Sequence, residues 1–169
     1  MDVRILVIDD SLAVAESLID TLSHQGYQVE YRSTGRDGWT RLVAGVERRS
    51  PMPDLLLLDL NMPGLDGLSL LRRLREDERF ALLPVIILTV EADPHTRMQA
   101  LQAGANDYLP KPVHTIELLA RVEALLGLKL AERRQQHHME TLVEASRILL
   151  STRELTDVLQ RVMQLTMSE

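Results

Sequence analysis

Two unbroken apolar runs constrain the fold of this chain more than any other sequence feature. They are Leu55–Leu58 and Val85–Leu88, each bounded by polar residues or proline. Apolar runs without polar alternation are typical of strands that are buried on both faces. Strands of that kind occur almost only in parallel sheets covered by helices, so the two runs predict an α/β protein.

Strands and helices alternate around these two runs. A β-branched run predicts a strand at Val3–Ile8, a weaker strand is predicted at Gln28–Tyr31, and a short one at Asp107–Leu109. Helical periodicity or helix-start signals follow each of the five strands, and the last helix is expected to place Ile116, Leu119, Val122 and Leu126 on one apolar face. The order β-α, repeated five times, implies parallel pairing through right-handed crossovers and an open sheet with helices on both faces.

Polar residues follow four of the five predicted strands. Strand 1 ends in Asp9 and Asp10, strand 3 in Asp59 and strand 4 in Thr89, while Lys111 follows strand 5. Ligands of doubly wound sheets bind at the carboxyl ends of the strands, so these side chains are expected to converge.

This set of side chains points to phosphoryl chemistry. Clustered carboxylates repel one another, and a hard divalent cation such as Mg²⁺ relieves that repulsion. A lysine ammonium is a compact charge suited to phosphate, and an aspartate beside it can act as a nucleophile toward a phosphoryl group.

Residues 1–127 resemble the receiver domain of a two-component response regulator. The resemblance covers four features in order: the pair Asp9-Asp10, the segment DLNMPGLDG (59–67), the hydroxyl of Thr89, and GANDYLPKP (104–112). It implies a flavodoxin-like, doubly wound five-stranded parallel sheet of order 2-1-3-4-5.

The resemblance also implies a role for each site residue. Asp59 would accept a phosphoryl group from a sensor histidine kinase or phosphotransfer protein. Mg²⁺ (or Mn²⁺) would be ligated by Asp10, Asp59 and the backbone carbonyl of Asn61, with Asp9 acting through a metal-bound water. Lys111 and Thr89 would contact the phosphate, Tyr108 would move inward with Thr89, and the Lys111–Pro112 peptide bond is expected to be cis.

Three residues are expected to tune the phosphate lifetime. In the family, the positions two after the phospho-acceptor and two after the switch hydroxyl influence hydrolysis; here they are Asn61 and Glu91. Val90 stands where the family usually has a small residue and is expected to narrow access to Asp59. Asn61 and Glu91 favour a short lifetime, and Val90 favours a longer one.

The function expected from these features is a signalling switch rather than an enzyme, with only self-catalysed phosphotransfer and autodephosphorylation. One alternative is a phosphatase or other hydrolase with an aspartate nucleophile, but that family has D-x-D on its first strand, whereas Asp59-Leu60-Asn61 follows the third. Another is a DNA-binding regulator whose effector domain lies beyond residue 169. The net charge of −6 argues against nucleic-acid or anionic-membrane binding by these residues.

Residues 128–169 form a segment of different composition. They contain no aromatic residue, glycine or proline, and equal numbers of basic and acidic residues. Apolar residues at spacings of three and four predict a helical linker with a coiled-coil seam and a homodimer. Residues 142–165 resemble the opening helices of a GAF domain, which would make the chain part of a longer regulator with its output module after Glu169.

The chain is expected to be cytoplasmic. It contains no apolar run near the ~20 residues that a membrane helix needs. The absence of cysteine excludes disulfides, thiolate catalysis and cysteine-ligated metals but does not indicate a compartment. The apolar residues near the N-terminus are interrupted by Arg4 and run into Asp9 and Asp10, unlike a signal peptide.

Overall fold

The computed structural model describes residues 3–47, 49–90 and 94–127. Its sheet has five parallel strands in the order β2-β1-β3-β4-β5, as predicted. The strands are β1 (Arg4–Ile8), β2 (Gln28–Arg32), β3 (Leu55–Asp59), β4 (Val85–Thr89) and β5 (Asp107–Pro110). The helices are α1 (Leu12–His24), α2 (Gly35–Val46), α3 (Gly67–Glu76), α4 (Pro94–Gln102) and α5 (115–127).

Side chains alternate between the two faces of the sheet and build two apolar clusters. In β3, Leu56 and Leu58 face the cluster that contains buried residues of α2, α3 and α4. Leu55 and Leu57 face the cluster that contains buried residues of α1 and α5. All five residues of β3 and of β4 are buried, which explains why these two strands have no polar alternation in the sequence.

The predicted apolar face of α5 is wrong at its first position. Ile116 is 85% exposed, whereas Leu118, Val122 and Leu126 are buried. Residues four apart share one stripe of a helix, and Ile116 lies about 200° around the helix from Leu118. The stripe that packs on the sheet therefore begins at Leu118.

The loop between β3 and α3 is tightly fixed to the sheet. A Cβ atom at Gly67 would collide with the backbone of Asp59, so only glycine allows this close approach. Asp66 caps α3 by accepting a hydrogen bond from the Ser69 N–H at 2.8 Å. These contacts hold the segment after Asp59 in one position.

Residues up to Leu126 form one compact unit, and Gly127 is still helical. The predicted domain boundary near Gly127 remains a prediction. The coiled-coil seam, the homodimer and the GAF-like segment concern residues 128–169, which lie outside the described residues. Within the described part of the chain, no helix has the length and apolar character needed to cross a bilayer.

Candidate functional site

The ends of β1 and β3 bring three carboxylates together. β1 pairs directly with β3, with Ile8 opposite Leu58, so the residues that follow lie side by side. Asp9 is fully buried, Asp59 is 2% exposed, and Asp10 is exposed. One carboxylate oxygen from each of the three lies within 4.8 Å of the others, as the sequence predicted.

Lys111 supplies the positive charge at this cluster. Its Nζ lies 2.7 Å from Asp9 Oδ2 and 3.0 Å from Asp59 Oδ1. Burial alone would lower the pKa of Lys111, but the two carboxylates outweigh burial and raise it. Lys111 is therefore charged at neutral pH and bridges the two buried acids.

The negative charge of Asp59 is unfavourable at its buried position, and Lys111 offsets this effect only in part. Burial is the largest cause and raises the pKa of Asp59, and the nearby charge of Asp9 raises it further. The ammonium of Lys111 and the backbone N–H of Asn61 lower it, but the net direction is upward. The charged form of Asp59 is therefore less favourable at this site than in water.

The two predicted switch residues lie on neighbouring strands. Thr89 ends β4 and is buried, and its carbonyl accepts a hydrogen bond from the Lys111 N–H at 2.7 Å. Tyr108 on β5 is half-buried, with the guanidinium carbon of Arg97 4.2 Å from its ring centroid and that of Arg121 at 5.8 Å. Tyr108 is thus held by cations from α4 and α5.

The predicted tuning residues lie beside the cluster in sequence, and two of them are described. Asn61 is exposed, and Val90 is 63% exposed directly after Thr89. Glu91 lies outside the described residues. The Lys111–Pro112 peptide bond is cis, which confirms that prediction.

A family model described as the response regulator receiver domain matches residues 5–123. The chain belongs to the response regulator receiver family. The match includes Asp9, Asp10, Asp59, Thr89 and Lys111.

Relatives and solved structures agree with this assignment. The response regulator MprA of Mycolicibacterium vanbaalenii is 48% identical over 128 residues, which cover 75% of this chain and 51% of MprA. A receiver domain protein from Methanospirillum hungatei superposes with a TM-score of 0.68 at 27% identity, covering 78% of this chain and 99% of that one. The BeF3-activated DrrB receiver domain gives 0.62 at 28% identity, covering 75% and 99%. This receiver chain spans about half the length of the MprA protein it matches.

The acidic cluster of this receiver fits a hard divalent cation. Three carboxylates face one ammonium, so the cluster carries an excess of negative charge. Its donors are all oxygens, which Mg²⁺ and Mn²⁺ prefer over nitrogen or sulfur. Asp10 is the exposed member and is the carboxylate most accessible to an ion from solvent.

The sequence analysis missed Tyr31, which reaches the receiver site from β2. Its hydroxyl donates a hydrogen bond to the backbone carbonyl of Asp9 at 3.0 Å. The predicted strand order could have identified Tyr31, because β2 neighbours β1 and the residues at the end of β2 therefore lie beside Asp9. The predicted site residues came from the ends of the other four strands and included none from β2.

Proposed function

We propose that Asp59 accepts a phosphoryl group in two-component signalling, from a sensor histidine kinase or a phosphotransfer protein. The observation that carries this proposal is the position of Asp59: a buried carboxylate at the end of β3, 3.0 Å from Lys111 Nζ and clustered with Asp9 and Asp10. Three clustered carboxylates with one lysine, which contacts two of them, repel one another at a cost in stability, and such arrangements are typical of functional sites.

The reaction follows from the groups present. An oxygen of Asp59 attacks the phosphorus of phosphohistidine, the P–O bond forms as the P–N bond breaks, and the leaving imidazole nitrogen keeps the electron pair. Lys111, already 3.0 Å from Asp59 Oδ1, is placed to neutralise charge on the transferred phosphoryl oxygens.

Asp10, Asp59 and the backbone carbonyl of Asn61 would hold Mg²⁺ (or Mn²⁺). Asp9 would act through water because Lys111 and the Ser11 N–H already engage its two carboxylate oxygens. The ion would supply further charge neutralisation for the phosphoryl group.

The response is proposed to pass through Thr89 and Tyr108. Thr89 lies at the end of β4, where its hydroxyl would hydrogen-bond a phosphate oxygen on Asp59. Tyr108 would then move inward, leaving the cation contact with Arg97. Because Arg97 lies on α4, this movement would change the surface formed by α4 and β5.

The wider role proposed is a cytoplasmic switch that does not turn over external substrates and does not bind DNA through these residues. Homodimer formation through residues 128–169 is part of the same proposal. The hydrolase alternative has no specific support, since Asp59 lies on β3 rather than on the first strand.

Labelling of Asp59 tests the proposal directly. The 169-residue protein is incubated with Mg²⁺ and acetyl phosphate, and the modified residue is located by mass spectrometry. We expect one phosphoryl group on Asp59 and none on the Asp59→Asn protein. Asp66→Asn is the matched control, because asparagine caps a helix as well as aspartate and Asp66 contacts only the start of α3. Persistent label on the Asp59→Asn protein would show that another residue is the acceptor.

A further inference from the structure

Tyr31 is the residue of β2 whose side chain forms a hydrogen bond with the acidic cluster. β2 is the edge strand beside β1, and Val7 lies opposite Tyr31 in their register. The half-buried ring packs against the apolar cluster on the α1 side of the sheet. From there its hydroxyl donates to the Asp9 carbonyl at 3.0 Å.

Four polar atoms of Asp9 each have a partner, through three hydrogen bonds and one ion pair. Its N–H donates to the Arg32 carbonyl at 3.2 Å, and Oδ1 accepts from the Ser11 N–H at 2.9 Å. Oδ2 pairs with Lys111, and the carbonyl accepts from Tyr31. The Tyr31 contact is the only one of these four that comes from a side chain outside the acidic cluster and its lysine.

The bond to the carbonyl of Asp9 acts on Asp10 as well. The carbonyl of Asp9 and the amide nitrogen and Cα of Asp10 belong to one rigid peptide plane. A donor that holds the carbonyl oxygen of Asp9 in place therefore also holds the Cα of Asp10, to which the side chain is attached. Asp10 is exposed, so solvent alone would leave its carboxylate free to adopt several rotamers.

We propose that Tyr31 is a positioning residue of the divalent-cation site, whose hydroxyl fixes the peptide between Asp9 and Asp10 and thereby raises the affinity for Mg²⁺. The inference rests on the proposed function, in which these acids hold the ion. Groups that orient metal ligands without touching the metal commonly change its affinity.

The electrostatic surroundings of Tyr31 agree with this placement. Burial is the largest cause that raises the pKa of its phenol, followed by the charges of Asp9, Asp10 and Glu16. The hydroxyl therefore stays protonated at neutral pH and remains a donor. It lies close enough to the acids to respond to their charge.

The test compares two tyrosines that share one apolar cluster. Tyr31→Phe removes only the hydroxyl that contacts Asp9. Tyr27→Phe is the matched control, because Tyr27 packs against the same cluster but its charged neighbour is Glu123, away from the acids. For each full-length protein, the Kd for Mg²⁺ alone is measured by calorimetry, and thermal unfolding is measured in EDTA. The rate of labelling by acetyl phosphate is then followed against Mg²⁺ concentration.

We expect Tyr31→Phe to weaken Mg²⁺ binding about fivefold, less than the roughly 10–100-fold typical of a lost outer-shell partner, because Tyr31 acts on the peptide before Asp10 and not on a ligand oxygen. Its maximal labelling rate at saturating Mg²⁺ should equal that of the wild type, and Tyr27→Phe should leave the Kd unchanged. A Kd for Tyr31→Phe within twofold of wild type, or equal weakening by both substitutions, would overturn the inference and leave the proposed function intact. A wild-type protein that does not bind Mg²⁺ would overturn both.

Discussion

At the scale of single residues, the buried carboxylate of Asp59 links reactivity to stability. Its pKa is raised above the ordinary aspartate value of about 4, mainly by burial. The folded state therefore holds the proton more tightly than the unfolded state. The contribution of Asp59 to stability is fully present below the unfolded pKa and is lost as the pH rises through the folded pKa, so ionisation of Asp59 destabilises the fold as the pH rises.

Asp59→Asn should raise the melting temperature of the metal-free protein at pH 7. Because the raised pKa means that the charge on Asp59 is unfavourable in the folded state, and because Lys111 keeps its pair with Asp9, removing that charge is expected to stabilise the fold by about 1 kcal/mol. That corresponds to roughly 3–6 °C for a domain of this size. The measurement is thermal unfolding in EDTA between pH 4 and pH 7, where the difference from wild type should shrink as Asp59 becomes protonated. A lower melting temperature, or a difference that does not vary with pH, would contradict this account of Asp59.

Two exposed residues are expected to set the lifetime of the phosphate in opposite directions. Asn61 can orient an attacking water, so Asn61→Ala should slow dephosphorylation about fivefold, the equivalent of one hydrogen bond. Val90 is expected to narrow the approach to Asp59, so Val90→Ala should speed both labelling and decay. Decay of labelled protein after removal of the phosphodonor gives both rates. Unchanged rates in both variants would remove these roles.

At the scale of elements, Arg75 joins the end of α3 to the two loops that precede β4 and β5, at the end of the sheet away from the acidic cluster. Its Nε donates to the Gly104 carbonyl at 2.8 Å, and its Nη atoms donate to the carbonyls of Phe80 and Leu83 at 3.2 and 3.0 Å. Nη2 also donates to Asn106 Oδ1, which in turn accepts from the Val85 N–H. One guanidinium thus fixes the segments that lead into β4 and β5.

Arg75→Met should destabilise the protein by about 2–4 kcal/mol. The substitution keeps an apolar stem but leaves several carbonyls without this donor, and each unsatisfied buried acceptor costs about 1–3 kcal/mol. Urea unfolding in EDTA measures the effect. Arg72→Met, at an exposed position of the same helix, should change stability by less than about 0.5 kcal/mol. Equal effects of the two substitutions would show that the Arg75 contacts are not important for stability.

The strands and the strand-end residues could be predicted because their signals are local. The apolar runs of β3 and β4 mark buried parallel strands, and β-α alternation then places Asp9, Asp59 and Lys111 at one edge. The role of Arg75 could not be predicted in this way, because three of its acceptors are backbone carbonyls, up to 29 residues away, which carry no sequence signal. The prediction for the apolar face of α5 was wrong at Ile116 because this residue precedes the buried Leu118 by two positions and therefore lies on the opposite side of the helix.

At the scale of the whole molecule, the two apolar clusters that build the receiver end at Leu126. We therefore expect residues 1–127 to fold on their own, so that the remaining segment can be tested separately. The sequence of that segment places Leu142, Ala145 and Leu149 at one helical spacing. Isolated helices of this kind are stabilised mainly by packing an apolar face against a partner.

Our last prediction is that a second copy of the chain supplies that partner. Residues 128–169 of the two copies would pair in parallel and bury the coiled-coil seam of each. The 169-residue protein should therefore be a dimer at micromolar concentration, with about twice the mass of the 19.2 kDa chain, whereas residues 1–127 should be monomeric. Light scattering after size-exclusion chromatography, with and without beryllofluoride, measures both masses. Leu149→Glu should dissociate the dimer because it places a charge in the seam, and Arg147→Glu, two residues away and off the seam, should not. If both proteins are monomers under all these conditions, residues 128–169 do not pair with those of a second copy and the prediction fails.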